Sequence, residues 1–252
     1  MLPEERYARI VAILKESGFV KVEELATYLG VSDMTIRRDL EKCQEAGLLR
    51  RCHGGAVLDG ANQQEIKFED KSSENSEAKK RLAQACSAFV AEGMTVFLDA
   101  GTTAYEIAQR IRTIPRLTIV TNDIRILYSL LGNGNELLMI GGSVQKSTGS
   151  VIGQLADQMI RQLSFDVAFI GANSINDKME VMTPTVEKAF CKRLVVKRST
   201  SSYLAVDHSK FHRKALHYVN SLSEYTGIVT DSRFTAKEHE LIKRKKITII
   251  SP

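Results

Sequence analysis

The segment Asp99-Ala100-Gly101-Thr102-Thr103 follows a short apolar run, MTVFLD, and leads into a stretch with helical periodicity from Ala104. These residue types suit an anion. Glycine lets the backbone approach it, two hydroxyls donate hydrogen bonds, and a helix N-terminus offers oriented N–H groups. The chemistry fits a phosphate, although Gly-Thr-Thr by itself serves equally as a strand-to-helix turn with a threonine cap. Other apolar runs end in Thr121-Asn122-Asp123, Gly141-Gly142, Gly171-Ala172 and Asp207-His208-Ser209-Lys210. Several polar or glycine-rich endings on one edge favour a pocket over coincidence.

A second constellation is cationic. Arg37 and Arg38 are adjacent, and Arg50, Arg51 and His53 follow within one short stretch. Residues 1–58 carry nine Lys/Arg and nine Asp/Glu, so the segment is formally neutral, and placement rather than bulk charge points to a polyanion. Arginine reads guanine O6 and N7 through two parallel hydrogen bonds, and threonine meets a base edge or a phosphate. The plain alternative is a solvated helix beside a basic loop.

The elements that must position these groups follow from spacing. Tyr7, Ile10, Val11 and Leu14 predict a helix over Pro3 to Lys15, stopped by Gly18. Val22, Leu25, Ala26 and Leu29 mark a second helix, closed at Gly30, where the absence of Cβ permits the left-handed conformation. Ser32 is the N-cap expected for a third helix, with Ile36, Leu40 and Cys43 inward and an end at Gly47. Two short helices joined by a tight turn are a helix-turn-helix, whose second helix enters the major groove. Asp33, Met34, Thr35, Arg37 and Arg38 then lie toward its exposed N-terminal part. The following LLRRCHGGAVL has strand character broken at Gly54-Gly55, which suits a hairpin tip or wing laid along a minor groove or backbone.

Residues 59–76 are polar and aperiodic, and we read them as a connection in which Phe68 and Ile66 are apolar exceptions able to dock on a second domain. From Glu77 the apolar runs MTVFLD, LTIVT, ELLMI, DVAFIG, SYLAV, GIVT and ITII alternate with amphipathic segments near 77–92, 104–112, 123–131, 154–162, 185–198 and 235–245. This alternation predicts an α/β domain with a largely parallel sheet, in which ligands gather beyond the carboxyl ends of the strands. The expected organisation is therefore a winged helix-turn-helix over 1–58, a linker over 59–76 and an α/β sensor domain over 77–252.

The rest of the composition excludes other classes. No run of about 18 apolar residues is present, and the charged start MLPEERYARI is unlike a signal peptide, so a cytoplasmic protein without membrane association is expected. Cys43, Cys52, Cys86 and Cys191 lie far apart without CxxC spacing, which predicts reduced thiols, no metal and no cofactor.

The run VSDMTIRRDLEKCQEAGLLRRCHGGAV, above all Thr35-Ile36-Arg37-Arg38-Asp39-Leu40 followed by Arg51, His53, Gly54 and Gly55, resembles the DNA-binding signature of the DeoR-type repressors of bacterial sugar metabolism. Residues 77–252 resemble the sensor domain of the same family, which is similar in fold to the sugar-phosphate isomerases. The resemblance and the residue chemistry together imply operator recognition through Ser32, Thr35, Arg37, Arg38, Arg50, Arg51, His53 and Gly54. Asp39 is expected to orient an arginine through a charge-assisted pair rather than to touch bases. The resemblance further implies phosphate binding at Asp99, Gly101, Thr102 and Thr103, and draws in Thr121, Asn122, Gly141, Gly142, Asp207 and Lys210. Lys210 would meet the phosphate as a point charge.

One position departs from the family pattern. A glutamate often stands four residues before the Lys-Arg pair that here is Lys192-Arg193, whereas this chain has Lys188 there and Glu187 one step earlier. At about 100° per residue Glu187 projects elsewhere, so either Lys188 adds a positive charge for the effector or the helix shifts its register.

The implied function is a DNA-binding transcriptional regulator, a repressor of a carbohydrate-utilisation operon controlled by a phosphorylated sugar or polyol. Paired half-sites predict at least a homodimer, and the resemblance allows a homotetramer. Two other classes compete. A sugar-phosphate isomerase with an accessory DNA-binding segment needs a tuned base near the substrate carbon, and an architectural DNA-binding protein needs no effector domain.

Overall fold

Apolar residues three and four apart build the first unit. In the computed structural model, which describes residues 3–17, 19–46, 48–52, 54–58 and 68–252, the chain divides into two compact units, Met1–Gln64 and Glu65–Pro252. The first contains α1 (Pro3–Ser17), β1 (Phe19–Lys21), α2 (Val22–Leu29), α3 (Asp33–Glu45), β2 (Leu49–Cys52) and β3 (Gly55–Leu58). Ile10 and Leu14 of α1, Val22, Leu25 and Leu29 of α2, and Ile36, Leu40 and Cys43 of α3 bury one another in a single cluster.

Local chemistry fixes the turns between them. Gly30 ends α2 in the left-handed region at φ +68°. The Ser32 hydroxyl caps α3 by accepting from the Thr35 N–H at 3.3 Å. The strands pair antiparallel in the order β1-β3-β2, and the β2–β3 hairpin is the expected wing. Strand β1 was not anticipated, because three residues are too few to show alternation. It explains Gly55, where a Cβ would lie 1.9 Å from the Val20 carbonyl oxygen. Gly18 and Gly47, read as helix stops, fall outside the described residues.

The second unit opens with α4 (Phe68–Ser73) and α5 (Ser76–Ser87), then alternates through β4 (Thr95–Leu98), α6 (Thr102–Ile111), β5 (Thr118–Thr121), α7 (Ile124–Leu130) and β6 (Glu136–Met139). A hairpin of β7 (Ser143–Gln145) and β8 (Ser150–Ile152) precedes α8 (Gln154–Arg161) and β9 (Phe165–Ile170). Next come β10 (Ser174–Ile175), β11 (Glu180–Thr183), α9 (Val186–Lys197), β12 (Ser199–Ala205) and β13 (His217–Ser221). The chain closes with β14 (Gly227–Val229), α10 (Ala236–Arg244) and β15 (Ile249–Ile250).

Seven strands form one sheet in the order β15-β14-β12-β9-β4-β5-β6, every pair parallel. Both faces are covered, which is why these strands read as continuous apolar runs. Phe97, Ala168 and Leu204 face α8, α9 and α10, while Val96, Leu98, Val167 and Phe169 face α5, α6 and α7. The chain fills one half of the sheet from β4 outward to β6, then returns to place β9 on the other side of β4. That reversal opens a crevice beyond the carboxyl ends of β4 and β9. Among the described residues no helix is long and apolar enough to cross a membrane.

Candidate functional site

On the first unit, α3 turns its apolar residues inward and its cations outward. Arg37, Arg38 and Met34 are exposed, whereas Ile36 and Leu40 are buried. Ser32 and Thr35 join hydroxyls at 3.0 Å across the helix start, so both stand at its N-terminal end, where the helix dipole favours an anion. Asp39 is only 3% exposed and binds Arg6 of α1 in a fork, Nε to Oδ2 at 2.7 Å and Nη2 to Oδ1 at 3.0 Å. The expected charge-assisted pair exists, and its arginine belongs to another helix. Burial works against the Arg6 charge, but the hydrogen bond to Asp39 is the larger effect and raises its pKa.

Two further arginines belong to the wing. Arg50 and Arg51 lie on β2, opposite Val57 and Ala56. Arg51 is exposed, its guanidinium 3.3 Å from Glu41 and its N–H donating to the Gln44 side chain at 2.8 Å, so α3 and the wing are braced together. Gly54 turns the hairpin at φ +79°. His53 falls outside the described residues.

On the second unit the Gly101-Thr102 turn stands at the crevice. Gly101 precedes α6 at φ +147°, and its N–H donates to Asp123 Oδ2 at 3.1 Å. Thr102 and Thr103 open the helix, where the first N–H groups have no intrahelical acceptor. Asp123 also accepts from the N–H groups of Arg125 at 2.8 Å and Ile126 at 3.4 Å, capping α7. Burial raises its pKa against those hydrogen bonds.

A pocket of about 40 Å³ lies in front of this turn. Besides Gly101 and Thr102 it is lined by Thr148 and Ser150 beside β8, by Lys188 of α9, and by Phe68 and Lys71 of α4. Thr148 and Ser150 share a hydrogen bond at 2.9 Å, and Lys188 Nζ donates to Thr148 Oγ1 at 3.4 Å. Phe68 meets Tyr105 edge to face and lies under the Arg125 guanidinium at 4.5 Å. It thus docks on the second unit, while Ile66 falls outside the described residues. On helix α9, Lys188 lines the pocket and Glu187 is exposed.

The other residues singled out from sequence do not line this pocket. Asp99 is buried and forms an ion pair with Lys192. Its Oδ2 also accepts from the Gly171 N–H at 3.0 Å, bridging the ends of β4 and β9. Thr121 donates to the Leu98 carbonyl at 2.8 Å, and the Asn122 carbonyl accepts from Val151 N–H at 2.7 Å, holding the β8 turn in place. Gly142 lets the chain pass the Ile152 carbonyl, which a Cβ would approach to 2.7 Å; its neighbour Gly141 is exposed on the same turn.

Asp207 and Lys210 belong to a separate group at the end of β12. Asp207 Oδ1 accepts from the Ser209 N–H and from Asn75 Nδ2, both at 2.9 Å. Burial pushes its pKa up, but Lys210, Ser209 and Lys79 together hold the carboxyl below its usual range.

Sequence reasoning missed Phe68 and Lys71 as lining residues, along with Thr148 and Ser150. The run Ser147-Thr148-Gly149-Ser150 carried a usable signal, hydroxyls around a glycine, but no strand pattern flanked it. Cys43, Cys86 and Cys191 are buried free thiols, and no cluster of metal-ligating side chains occurs among the described residues.

Two family models match this chain. Residues 6–61 match the DeoR-like helix-turn-helix domain, and residues 74–232 match the DeoR C terminal sensor domain. The chain is 34% identical over 250 residues to the HTH-type transcriptional regulator GlpR of Haloferax volcanii, covering 99% of this chain and 98% of the relative. It is 30% identical over 233 residues to the glycerol-3-phosphate regulon repressor of Escherichia coli, covering 92% of each. Among solved structures it is similar to ribose 5-phosphate isomerase A of Methanocaldococcus jannaschii, with a TM-score of 0.39 and 16% identity over 55% of each chain.

Proposed function

The chain belongs to the DeoR family of transcriptional repressors, and on that premise we propose that it represses a carbohydrate-utilisation operon and is released from its operator by a phosphorylated sugar or polyol. One observation carries the reading: a single chain holds an exposed arginine face on α3 and, in its other unit, a lysine-lined pocket at a helix N-terminus beside the sheet crevice. The first suits a duplex and the second a phosphoryl group.

We assign DNA contact to residues 1–58, with Thr35, Arg37 and Arg38 reading the major groove. Ser32 and Gly54 position the helix start and the wing, and Arg50, Arg51 and His53 lie along the backbone or minor groove. Effector sensing falls to residues 77–252, served by α4 from within the connecting stretch 59–76. Gly101 and Thr102 form the centre of the effector site, with Asp99 and Thr103 beside them in the same turn, Thr121, Asn122, Gly141 and Gly142 supporting the loops, Asp207 toward the sugar and Lys210 toward the phosphate as a point charge. Control is linkage: the effector binds the DNA-incompetent arrangement more tightly and weakens operator binding by that difference. The working species is a cytoplasmic homodimer or homotetramer reading paired half-sites.

We favour binding over turnover. Isomerisation needs a carboxylate free to take a proton, whereas Asp99 is held by Lys192 and Gly171 N–H, and Asp207 is buried under the pull of Lys210. Turnover of a sugar phosphate by the purified protein, lost in Asp99→Ala, would establish the enzyme instead.

The reading is tested by fluorescence anisotropy on a duplex selected from a random pool, titrated with sugar phosphates and their unphosphorylated parents. We expect at least one phosphorylated compound to weaken binding while its parent does not. Equal effects from both members of every pair would overturn the reading.

A further inference from the structure

Met34 does not serve the core of the first unit. It is 78% exposed, more than Tyr28 or Leu48, the other large apolar side chains that stand out from the described part of that unit. A single exposed apolar residue is ordinary on a protein surface, so its place on the helix decides what it means.

An α-helix advances about 100° per residue, so Arg37 and Arg38, one turn along, flank Met34 at about 60° on one side and about 40° on the other. Ile36 and Cys43, both buried, lie about 160° and about 180° away from it. Met34 therefore stands on the crown of α3, opposite the core and between the two exposed arginines. The Ser32 hydroxyl, which accepts from the Thr35 N–H at 3.3 Å, fixes the first turn that carries it. Further along the same line comes Glu41, whose carboxylate lies 3.3 Å from the Arg51 guanidinium. The stretch from Met34 to Arg38 contains no acid.

In a helix-turn-helix the N-terminal residues of the second helix meet the base edges. A thioether donates no hydrogen bond and accepts only weakly. Set against the acceptors of guanine, or the amino groups of adenine and cytosine, it would displace water and return no bond. Thymine presents a methyl group in the major groove, the one apolar feature that a base edge offers there. The unbranched chain of methionine adapts to such a surface.

Resting on the reading that α3 enters the major groove of an operator, we propose that Met34 recognises the 5-methyl group of a thymine next to the bases met by Arg37 and Arg38. Each half-site then requires a thymine at one position, and Met34 determines specificity there by apolar contact.

Fluorescence anisotropy with the full chain tests this on a duplex selected from a random pool. Each thymine is replaced in turn by uracil, which pairs in the same way and lacks only the methyl group. Uracil at one position of each half-site should weaken binding by the parent about threefold to fivefold. Met34→Ala should bind the thymine and uracil duplexes alike, whereas Met34→Leu should still prefer thymine. Met34→Gln, a polar side chain of similar length, should lose the preference as Met34→Ala does. All three variants should melt with the parent, because Met34 lies outside the core.

A parent indifferent to uracil at every position would overturn the assignment and leave operator binding standing. Undiminished thymine preference in Met34→Ala would also overturn it, since the methyl group would then act through the shape of the duplex or through another residue. Selection that enriches no sequence would count against operator recognition itself, and against this inference with it.

Discussion

Arg37 and Arg38 gain their meaning from the residues between which they sit. Ile36 and Leu40 face the core, so the two guanidiniums are held outward on a helix whose start is fixed by Ser32. Arg37→Ala should cost about 1–3 kcal/mol of operator affinity and relax base preference at one position, measured by anisotropy across single-base variants of the duplex. A uniform loss across sequences would make Arg37 a phosphate contact instead. Asp39, next on the same helix, does structural work through Arg6. Breaking this fork removes both hydrogen bonds that Asp39 accepts from a poorly exposed arginine, so Asp39→Ala should destabilise the first unit by about 3 kcal/mol in a denaturant melt. An Arg6→Met/Asp39→Leu double variant should recover most of that loss; a double variant as unstable as Asp39→Ala would contradict the explanation. The arginine face was legible because helical periodicity separates inward from outward positions. The partner of Asp39 was not, because Arg6 lies 33 residues away and only packing brings it near.

At the scale of elements, the wing depends on one absent methyl group. Gly55→Ala would place a Cβ 1.9 Å from the Val20 oxygen, so β1 must part from β3. Operator binding should fall at least about tenfold while the second unit melts normally; unaltered operator binding would show that the wing contributes nothing. Helix α4 is held in a different way. Lys79 of α5 is 3% exposed and donates to the carbonyls of Lys71 and Glu74. Burial, then the charge of Lys210, pulls its pKa down to about 8 from 10.5. Between those values the unfolded chain holds a proton that the folded chain has released, so stability rises with pH across that window. The stability difference between the parent and Lys79→Met should therefore grow in favour of the parent from about pH 8 to about pH 10; a flat difference would contradict the buried, depressed lysine. The seven parallel strands and six of the helices in this unit were legible because burial on both faces gives unbroken apolar runs. Strands β7, β8, β10, β11 and β13 were not, since they are short and their pairing is fixed by loops rather than by pattern. Helix α4 escaped notice because six residues give less than two turns of periodicity.

At the scale of the whole molecule, the account requires two anion-binding surfaces in separate units to share one free energy. Such sharing needs no contact between effector and operator surfaces, because an effector that prefers one arrangement of the chain shifts operator binding by its differential affinity. The second unit begins at Glu65, ahead of the change of period near Glu77, and the membership of α4 was not legible, because a polar stretch with one phenylalanine reads as a connector. The most direct test is operator affinity, with and without an active sugar phosphate, in the parent and in Thr102→Ala/Thr103→Ala. The account predicts the same operator affinity for both proteins without effector, a loss of about fivefold or more in the parent with it, and no response in the variant. A variant that responds as the parent does, or a parent indifferent to every phosphorylated sugar and polyol, would contradict it.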